Sequence, residues 1–451
     1  MQKQKHCGNI TEPIVMIEQG ESKPEIRVLI TSGMRMFHLP FLASALNQKI
    51  IDYRLLIGLY PLPAIRPFIN LLPSRPKAKL IDRLQCIPFT RIRVSLVSEL
   101  LAHLDSSAKR LKIPACIQFF LTTLAHASFS KKASFELTKY KPDIYHYRCA
   151  FGLKSLDTAD RVNAIKLCDH SIAHPAHILY LEENRGNLPT NSDLDSKSLT
   201  EASLVHMNND LMRADHIVVN SEFVKISLGK AGIPNSRITV VELCVERKIR
   251  EYSLCNFQAL PKRSPSSLLY AGGWIERKGV LTLAKSIDLL QGEVELRIAG
   301  ASDNHVKAFC AQNKVSSSFL SPLGYLSREQ LAHEMIKSSI FVFPSLCEGY
   351  AKTIQEAMVC GCYIIATPNS GFSLFPGAYG TIIRPGDSVE LAQAISEAVA
   401  NPFLDDYCRQ NREVALCRYT PERYGSEMTS LYKQLCLEYL QGSAASRVGN
   451  K

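Results

Sequence analysis

The sequence has no Gly-x-Gly-x-x-Gly after its first apolar run and no Gly-x4-Gly-Lys-Ser/Thr anywhere. The first absence removes the dinucleotide turn of nicotinamide-dependent oxidoreductases, and the second removes the phosphate loop of nucleotide hydrolases. Cys-x-x-Cys pairs are also missing. The 14 cysteines are scattered, mostly inside apolar runs such as Val359–Ile365, and read as reduced core thiols rather than disulfides or zinc ligands. No metal is expected. Long apolar stretches are absent too: the most apolar window, Ile113–Phe129, is interrupted by Gln118, Thr122, Thr123 and His126. It falls short of the roughly 18 unbroken apolar residues of a membrane span and reads as a buried helix. Residues Met1–Lys23 lack the apolar core of a secretory signal, so the expectation is a cytoplasmic protein.

What is present is core material. The chain has 451 residues, 46% hydrophobic and 21% charged, which fits a folded protein of two domains better than one core or a disordered chain. The formal excess of +11 is unevenly placed. Residues 1–250 hold 34 Lys and Arg against 23 Asp and Glu, whereas 251–451 hold 19 of each. Within the first half, Arg66–Lys112 has 10 basic and 3 acidic residues among apolar Leu71, Leu72, Ile87, Phe89, Ile92 and Val94. Such a segment suits an anionic membrane surface, where each cation adds about 1 kcal/mol. It equally suits the solvated face of an ordinary domain. No nucleic-acid motif accompanies the charge, and nucleic acid is not expected as a partner.

Along the chain, short apolar runs alternate with helical patterns. Ile26–Thr31, Asp143–Tyr147, Ala164–Cys168, His216–Asn220 and Ile238–Leu243 read as strands of a first parallel sheet covered on both faces. Phe41, Leu42, Ala45 and Leu46 recur at helical spacing after the first. Pro61–Pro76 and the polar Asn184–Ser198 read as loops, and Arg250–Ser267 as a linker. A second series follows: Ser267–Ala271, Glu295–Ala299, Ile340–Phe343 and Cys362–Thr367. Thr420 before Pro421 marks the start of a last helix. The expected domains are 1–255 and 265–420, with a terminal helix over 421–441 returning to the first.

The strongest chemical signal is the segment Phe343–Met358, which joins a strand, a turn and a helix. A helix start offers unpaired amides and partial positive charge, so the backbone from Gly349 through Tyr350, Ala351 and Lys352 to Thr353 suits a phosphate. Glu348 in the turn and Glu356 two helical turns further suit sugar and ribose hydroxyls. Glu356 is followed by apolar Ala357–Met358 and the run Cys362–Ala366, where an unpaired carboxylate is costly.

This segment resembles the Glu-x7-Glu motif of retaining glycosyltransferase family 4, the glycosyl transferases group 1 domain. The resemblance extends over Leu268–Ala400 through LLYAGGWIERKGV, ELRIAG, LGYLSREQL, IFVFPSLCEGYAKTIQEAMVCG and GTIIRPGD. It continues more weakly through KPDIYHY, CDHSIAH, ADHIVVNSEFVK and GIPNSRITVVEL. It implies an α/β GT-B fold, two Rossmann-like domains facing across a cleft, with the donor on the second and the acceptor mainly on the first. It also implies a retaining, metal-independent transfer from a nucleotide-diphosphate sugar to a glycan or lipid-linked acceptor, without other cofactor, in cell-surface polysaccharide assembly. By that resemblance Glu348 binds the donor sugar, Glu356 the nucleotide ribose, and Lys278 with Arg277 the diphosphate. Gly272 and Gly273 allow close backbone approach, and Gly324 with Tyr325 lie near the base.

Two departures stand out. Many relatives carry an arginine five places before the motif lysine, where this chain has Gly273 followed by Trp274; Arg277 is the available substitute. Cys244-Val245-Glu246 replaces the usual Gly-Val-Asp. In the first half, His170 at a strand end is the candidate for contact with the donor sugar, ahead of His174 and His146. Gly33 after the first strand reads either as a donor-phosphate turn or as an ordinary strand-to-helix turn. The loss of the arginine motivates an alternative, a degenerate relative that binds nucleotide sugar or a partner without turnover.

Overall fold

The computed structural model describes residues 26–34, 38–48, 50–61, 80, 85–111, 113–178, 201–257 and 263–448. Seven strands form the first sheet: β1 (Ile26–Gly33), β2 (Ile51–Ile57), β3 (Ile92–Val94), β4 (Ile144–Arg148), β5 (Ile165–His170), β6 (His216–Val219) and β7 (Ile238–Val240). Their order is β3-β2-β1-β4-β5-β6-β7 and every pairing is parallel. Six strands form the second: β8 (Ser267–Ala271), β9 (Glu295–Ala299), β10 (Leu320–Gly324), β11 (Ile340–Phe343), β12 (Tyr363–Ala366) and β13 (Gly380–Ile382). Here the order is β10-β9-β8-β11-β12-β13, again all parallel. The expected pair of α/β domains is therefore present.

Each sheet reverses its winding once, between β1 and β4 in the first and between β8 and β11 in the second. Loops leaving the strands at such a point diverge to opposite faces and leave a crevice at the carboxyl ends. The continuous apolar runs occupy these positions: β1, β4, β8 and β11 are almost wholly buried because neighbours cover them on both edges and helices on both faces.

The first sheet has an apolar cluster on each face, and the second domain has one large cluster. Alternation along β5 separates the first two: Ile165 and Leu167 face one cluster and Cys168 the other. The chain crosses between domains twice, near residues 241–247 and 418–421. The crossings touch, since Val245 N–H donates to the Tyr419 carbonyl at 3.1 Å and Arg418 meets Glu242 at 2.7 Å. After the second crossing Thr420 caps the last helix, Pro421–Val448, by accepting from the Arg423 amide at 3.1 Å. Tyr424, Met428, Leu431, Tyr432 and Leu435 of that helix complete one of the two first-domain clusters.

Three sequence expectations differ from the structure. Arg250–Ser267 is not a plain linker: Arg247–Asn256 is helical, and Ile249 is buried in the second domain's core. The helix Ala115–Tyr140 forms, but its first half is not buried; Ile117, Phe119, Phe120 and Leu124 are exposed. Strands β2, β3, β10 and β13 lacked distinct sequence signals, and β3 and β13 have only three residues each. The loops at Asn184–Ser198 and over most of Pro61–Pro76 lie outside the described residues.

Met428 is 1% exposed within the cluster that joins the last helix to the first sheet. Met428→Ala is expected to cost about 2–5 kcal/mol in urea unfolding of the full chain.

Candidate active site

The second domain's contribution begins after β8. Gly272 and Gly273 are followed by Trp274, which turns inward against Tyr270 and Phe309, and by the short turn Glu276–Lys278. Gly279 closes the turn at φ 73°, a left-handed conformation, and a Cβ there would collide with the Pro344 carbonyl. Only glycine lets the turn lie against the segment that leaves β11. That contact is then fixed by hydrogen bonds: the Arg277 carbonyl accepts from the Leu346 and Cys347 amides at 2.9 and 3.3 Å.

The Arg277 guanidinium donates to the Cys347 carbonyl at 2.5 Å and to Glu348 Oε2 at 3.1 Å. Lys278 Nζ stands 3.7 Å from the same carboxylate oxygen and 5.5 Å from the Phe343 ring centre. Arg277, Lys278 and Glu348 thus form one cluster, with each side chain about one-fifth exposed. Gly273, at the place of the relatives' arginine, has no heavy atom within 4 Å of where a Cβ would sit, and its carbonyl accepts from the Tyr270 hydroxyl at 2.9 Å.

Gly349 is where the domains meet. A Cβ at this position would overlap the Ser171 carbonyl of the first domain, and Ser221 Oγ donates across the seam to the Gly349 carbonyl at 2.6 Å. The amides expected to cradle phosphate are only partly available. Ala351 N–H donates to the Ser370 carbonyl at 3.0 Å and Lys352 N–H to the Tyr350 carbonyl at 3.0 Å, so the chain itself uses both. Thr353 lies in the first turn of the helix Lys352–Val359, which carries Glu356 inward.

Beside this seam is an interdomain cavity of about 430 Å³. Tyr350, Lys352, Glu356 and Arg328 line it from the second domain, and His38, Phe41, Arg148, Ser171 and Asn220 from the first, with Leu243, Cys244 and Glu246 at the crossing. Glu356 is 2% exposed. Its Oε1 lies 3.6 Å from Arg328, whose Nε also meets Glu246 at 3.0 Å, while Oε2 has no hydrogen-bond partner. Burial pushes the Glu356 carboxyl up to about 7 against the pull of Arg328 and Lys352. Burial likewise lowers the Lys352 ammonium, which Glu356 partly supports. An acidic and a basic group of softened charge therefore face the same space.

His170 is buried on the opposite face of β5 from that space. Strand alternation sends it with Cys168 towards Cys149, and it is not among the cavity's lining residues; its Nε2 has no hydrogen-bond partner. The neighbouring Asp169 points to the cavity side instead, where it meets His38 at 2.8 Å and His146 at 3.7 Å. His174 bonds Asn208 at 3.0 Å. Gly33 has φ 78° and packs on the Phe151 ring. Gly324, at φ 72°, accepts from the Gly300 amide at 2.7 Å and donates to the Ala301 carbonyl at 3.1 Å, and Tyr325 is 83% exposed.

Sequence reasoning passed over His38, Asp169, Arg148, Glu246 and Arg328. Glu246 was noted only as a departure, Arg328 only within LGYLSREQL and Asp169 only within CDHSIAH; His38, Arg148 and Asp169 sit at or just past strand ends, a position that flags them once the strands are known. Of the basic segment 66–112, Arg91 and Arg93 are engaged by Asp52 and Glu136. The other eight cations of the segment fall outside the residues whose side chains are described.

Residues 265–401 match the family model described as glycosyl transferases group 1. The resemblance carried by the motifs is borne out over that segment. Among curated proteins, the Escherichia coli O-antigen chain mannosyltransferase B is 26% identical over 148 residues, 32% of this chain and 38% of that protein. The chain spans less than half the length of the curated relatives it matches. Among solved structures, sucrose-phosphate synthase from Thermosynechococcus elongatus superposes with a TM-score of 0.63 at 18% identity, covering 91% of this chain and 99% of that one. Anabaena HepE in complex with UDP and glucose gives 0.58 at 14% identity, covering 91% and 100%. At such identity the structures establish the shared GT-B fold of two Rossmann-like domains.

Because folding raises the Glu356 carboxyl to about 7 from an ordinary value of 4.5, the folded state holds a proton that the unfolded state has lost between those values. Its burial therefore opposes folding increasingly as pH rises through that window. Relative to the wild type, Glu356→Gln is expected to gain up to about 3 kcal/mol in urea unfolding between about pH 5 and pH 8.

Proposed function

We propose that the protein is a glycosyltransferase that moves a sugar from a nucleotide-diphosphate donor to a glycan or lipid-linked acceptor, with retention of anomeric configuration and without metal. The observation that carries this reading is the Arg277–Lys278–Glu348 cluster, joined through Gly349 and Tyr350 to the cavity that Glu356 lines. Transfer builds negative charge on a departing diphosphate while the sugar becomes oxocarbenium-like. Fixed cations stabilise the first, and hydroxyl-binding carboxylates orient the second. Lys278 and Arg277 supply the cations, Glu348 holds the sugar, and Glu356 holds the ribose with its unpartnered oxygen. Gly272, Gly273 and the Gly349–Tyr350 backbone approach the phosphates, and Gly324 and Tyr325 border the base.

Retention is what the motif resemblance implies; among the described first-domain residues lining the cavity no carboxylate is placed as a nucleophile for double displacement, so a retaining transfer here has the departing group and the incoming hydroxyl share one face of the sugar. The complex of HepE with UDP and glucose favours a uridine diphosphate sugar, and the mannosyltransferase supports a role in cell-surface polysaccharide assembly.

No helix among the described residues is long and apolar enough to cross a membrane. The packed helices Leu96–Arg110 and Ala115–Tyr140 nevertheless expose Leu96, Val97, Leu100, Leu104, Phe119 and Phe120. With the basic segment 66–112 they support peripheral attachment to an anionic inner membrane surface.

A panel of UDP-, GDP- and ADP-sugars tests the donor: a ligand at about 100 times its Kd adds about 2.7 kcal/mol of stability and a clear thermal shift. With the donor so found, Lys278→Ala and Glu348→Ala are each expected to lower turnover by about 10²–10³ with unchanged far-ultraviolet circular dichroism. Binding without transfer by the wild type identifies the degenerate alternative, and an inverted product overturns retention. Replacing Leu100 and Phe120 together by Glu is expected to abolish sedimentation with vesicles containing phosphatidylglycerol; unchanged sedimentation overturns the membrane role.

A further inference from the structure

Ser221 lies just past β6, at the start of the helix Glu222–Lys230, and is 3% exposed. Its hydroxyl has two acceptor lone pairs and one proton. The helix uses the first capacity, since Oγ caps it by accepting from the Val224 amide at 3.2 Å. The proton goes to the other domain, where Oγ donates to the Gly349 carbonyl at 2.6 Å. Two glycines clear the space for that bond. A Cβ on Gly371, which has φ 76°, would overlap the Gly349 carbonyl oxygen and stand 3.1 Å from Ser221 Oγ, and a Cβ on Gly349 would overlap the Ser171 carbonyl.

The bond fixes a direction as well as a contact. A trans peptide is planar, so its C=O and the following N–H point opposite ways. With the Gly349 carbonyl held against Ser221, the Tyr350 amide is turned away from the first domain's helix. The chain itself uses the amides on either side: Glu348 N–H donates to the Asn369 carbonyl at 2.8 Å, and those of Ala351 and Lys352 donate to the Ser370 and Tyr350 carbonyls. The Gly349 and Tyr350 amides have no acceptor among the described residues. Tyr350 lines the interdomain cavity, two residues beyond Glu348, whose carboxylate meets Arg277 at 3.1 Å and Lys278 at 3.7 Å. The unused donors thus begin at the residue that follows this cluster.

We propose that Ser221 is a positioning residue for the donor diphosphate: bonded from the first domain to the Gly349 carbonyl, its hydroxyl aims the Tyr350 amide at the phosphate oxygens. This rests on the glycosyl-transfer reading and adds to it a dependence of phosphate binding on contact between the domains. Ser221 touches neither sugar nor phosphate and acts through one peptide plane. While that plane is held, the amide joins Lys278 and Arg277 in meeting the charge that gathers on the diphosphate. By linkage, a nucleoside diphosphate on the amide strengthens the Ser221–Gly349 contact in return.

The test is calorimetric titration of the full chain with UDP, GDP and ADP and with uridine, guanosine and adenosine. Two variants separate the bridge from the cap. Ser221→Asp keeps an acceptor for the Val224 amide but, ionised, has no proton to donate, whereas Ser221→Ala loses both functions. For the diphosphate that the wild type binds, both variants are expected to lose affinity by about 10–10², as for a hydrogen bond to a charged group, with the matching nucleoside changed less than about twofold. Wild-type diphosphate affinity in Ser221→Asp would assign the serine to capping alone, and in Ser221→Ala would show the bridge to be dispensable; either overturns the proposal. An equal loss for diphosphate and nucleoside also overturns it, because a general disturbance of the cleft then accounts for both. Binding of none of the three diphosphates by the wild type would overturn the glycosyl-transfer reading and the positioning role with it.

Discussion

A carboxylate held almost out of water governs the cleft. Glu356 has one oxygen near Arg328 and the other without a partner, and its burial costs free energy that a hydrogen-bond donor or a proton relieves. The groups around it follow from that constraint. Arg328 is shared with Glu246, so neither acid is fully neutralised; Lys352, on the same helix as Glu356, is itself weakened as a base. The space remains polar and undersatisfied rather than collapsing into a closed ion-pair network.

The Arg277–Lys278–Glu348 cluster was legible in the sequence because it is local. Gly279, the pair Arg277–Lys278 and the run Cys347-Glu348-Gly349 sit on turns whose geometry is set within a few residues, and two strand ends bring the turns together. The two sheets were legible for a similar reason, since buried parallel strands read as unbroken apolar runs. Short edge strands β3 and β13 were not, because three half-exposed residues carry no periodicity.

The first domain's side of the cavity was not legible because it is assembled from distant positions. Choosing between Asp169 and His170 requires knowing which face of β5 meets the cleft, and a one-residue change in strand phase exchanges them. His38 and Asp169 are 131 positions apart, and nothing near either marks the other. The exposed face of the helix Ala115–Tyr140 was misread for a related reason: apolar content measures what a helix is able to bury, whereas exposure depends on what packs against it.

The two chain crossings have a mechanical consequence. Val245 and Tyr419 are bonded side by side, and beyond them the last helix is anchored in the first domain's core while the second domain lies between the two tethers. A body fastened at two adjacent pins swings about one axis instead of tumbling on a single thread. Any relative motion of the two domains is thereby confined to an arc that carries Gly349 to and from Ser171, and little orientational entropy is lost in re-forming that contact.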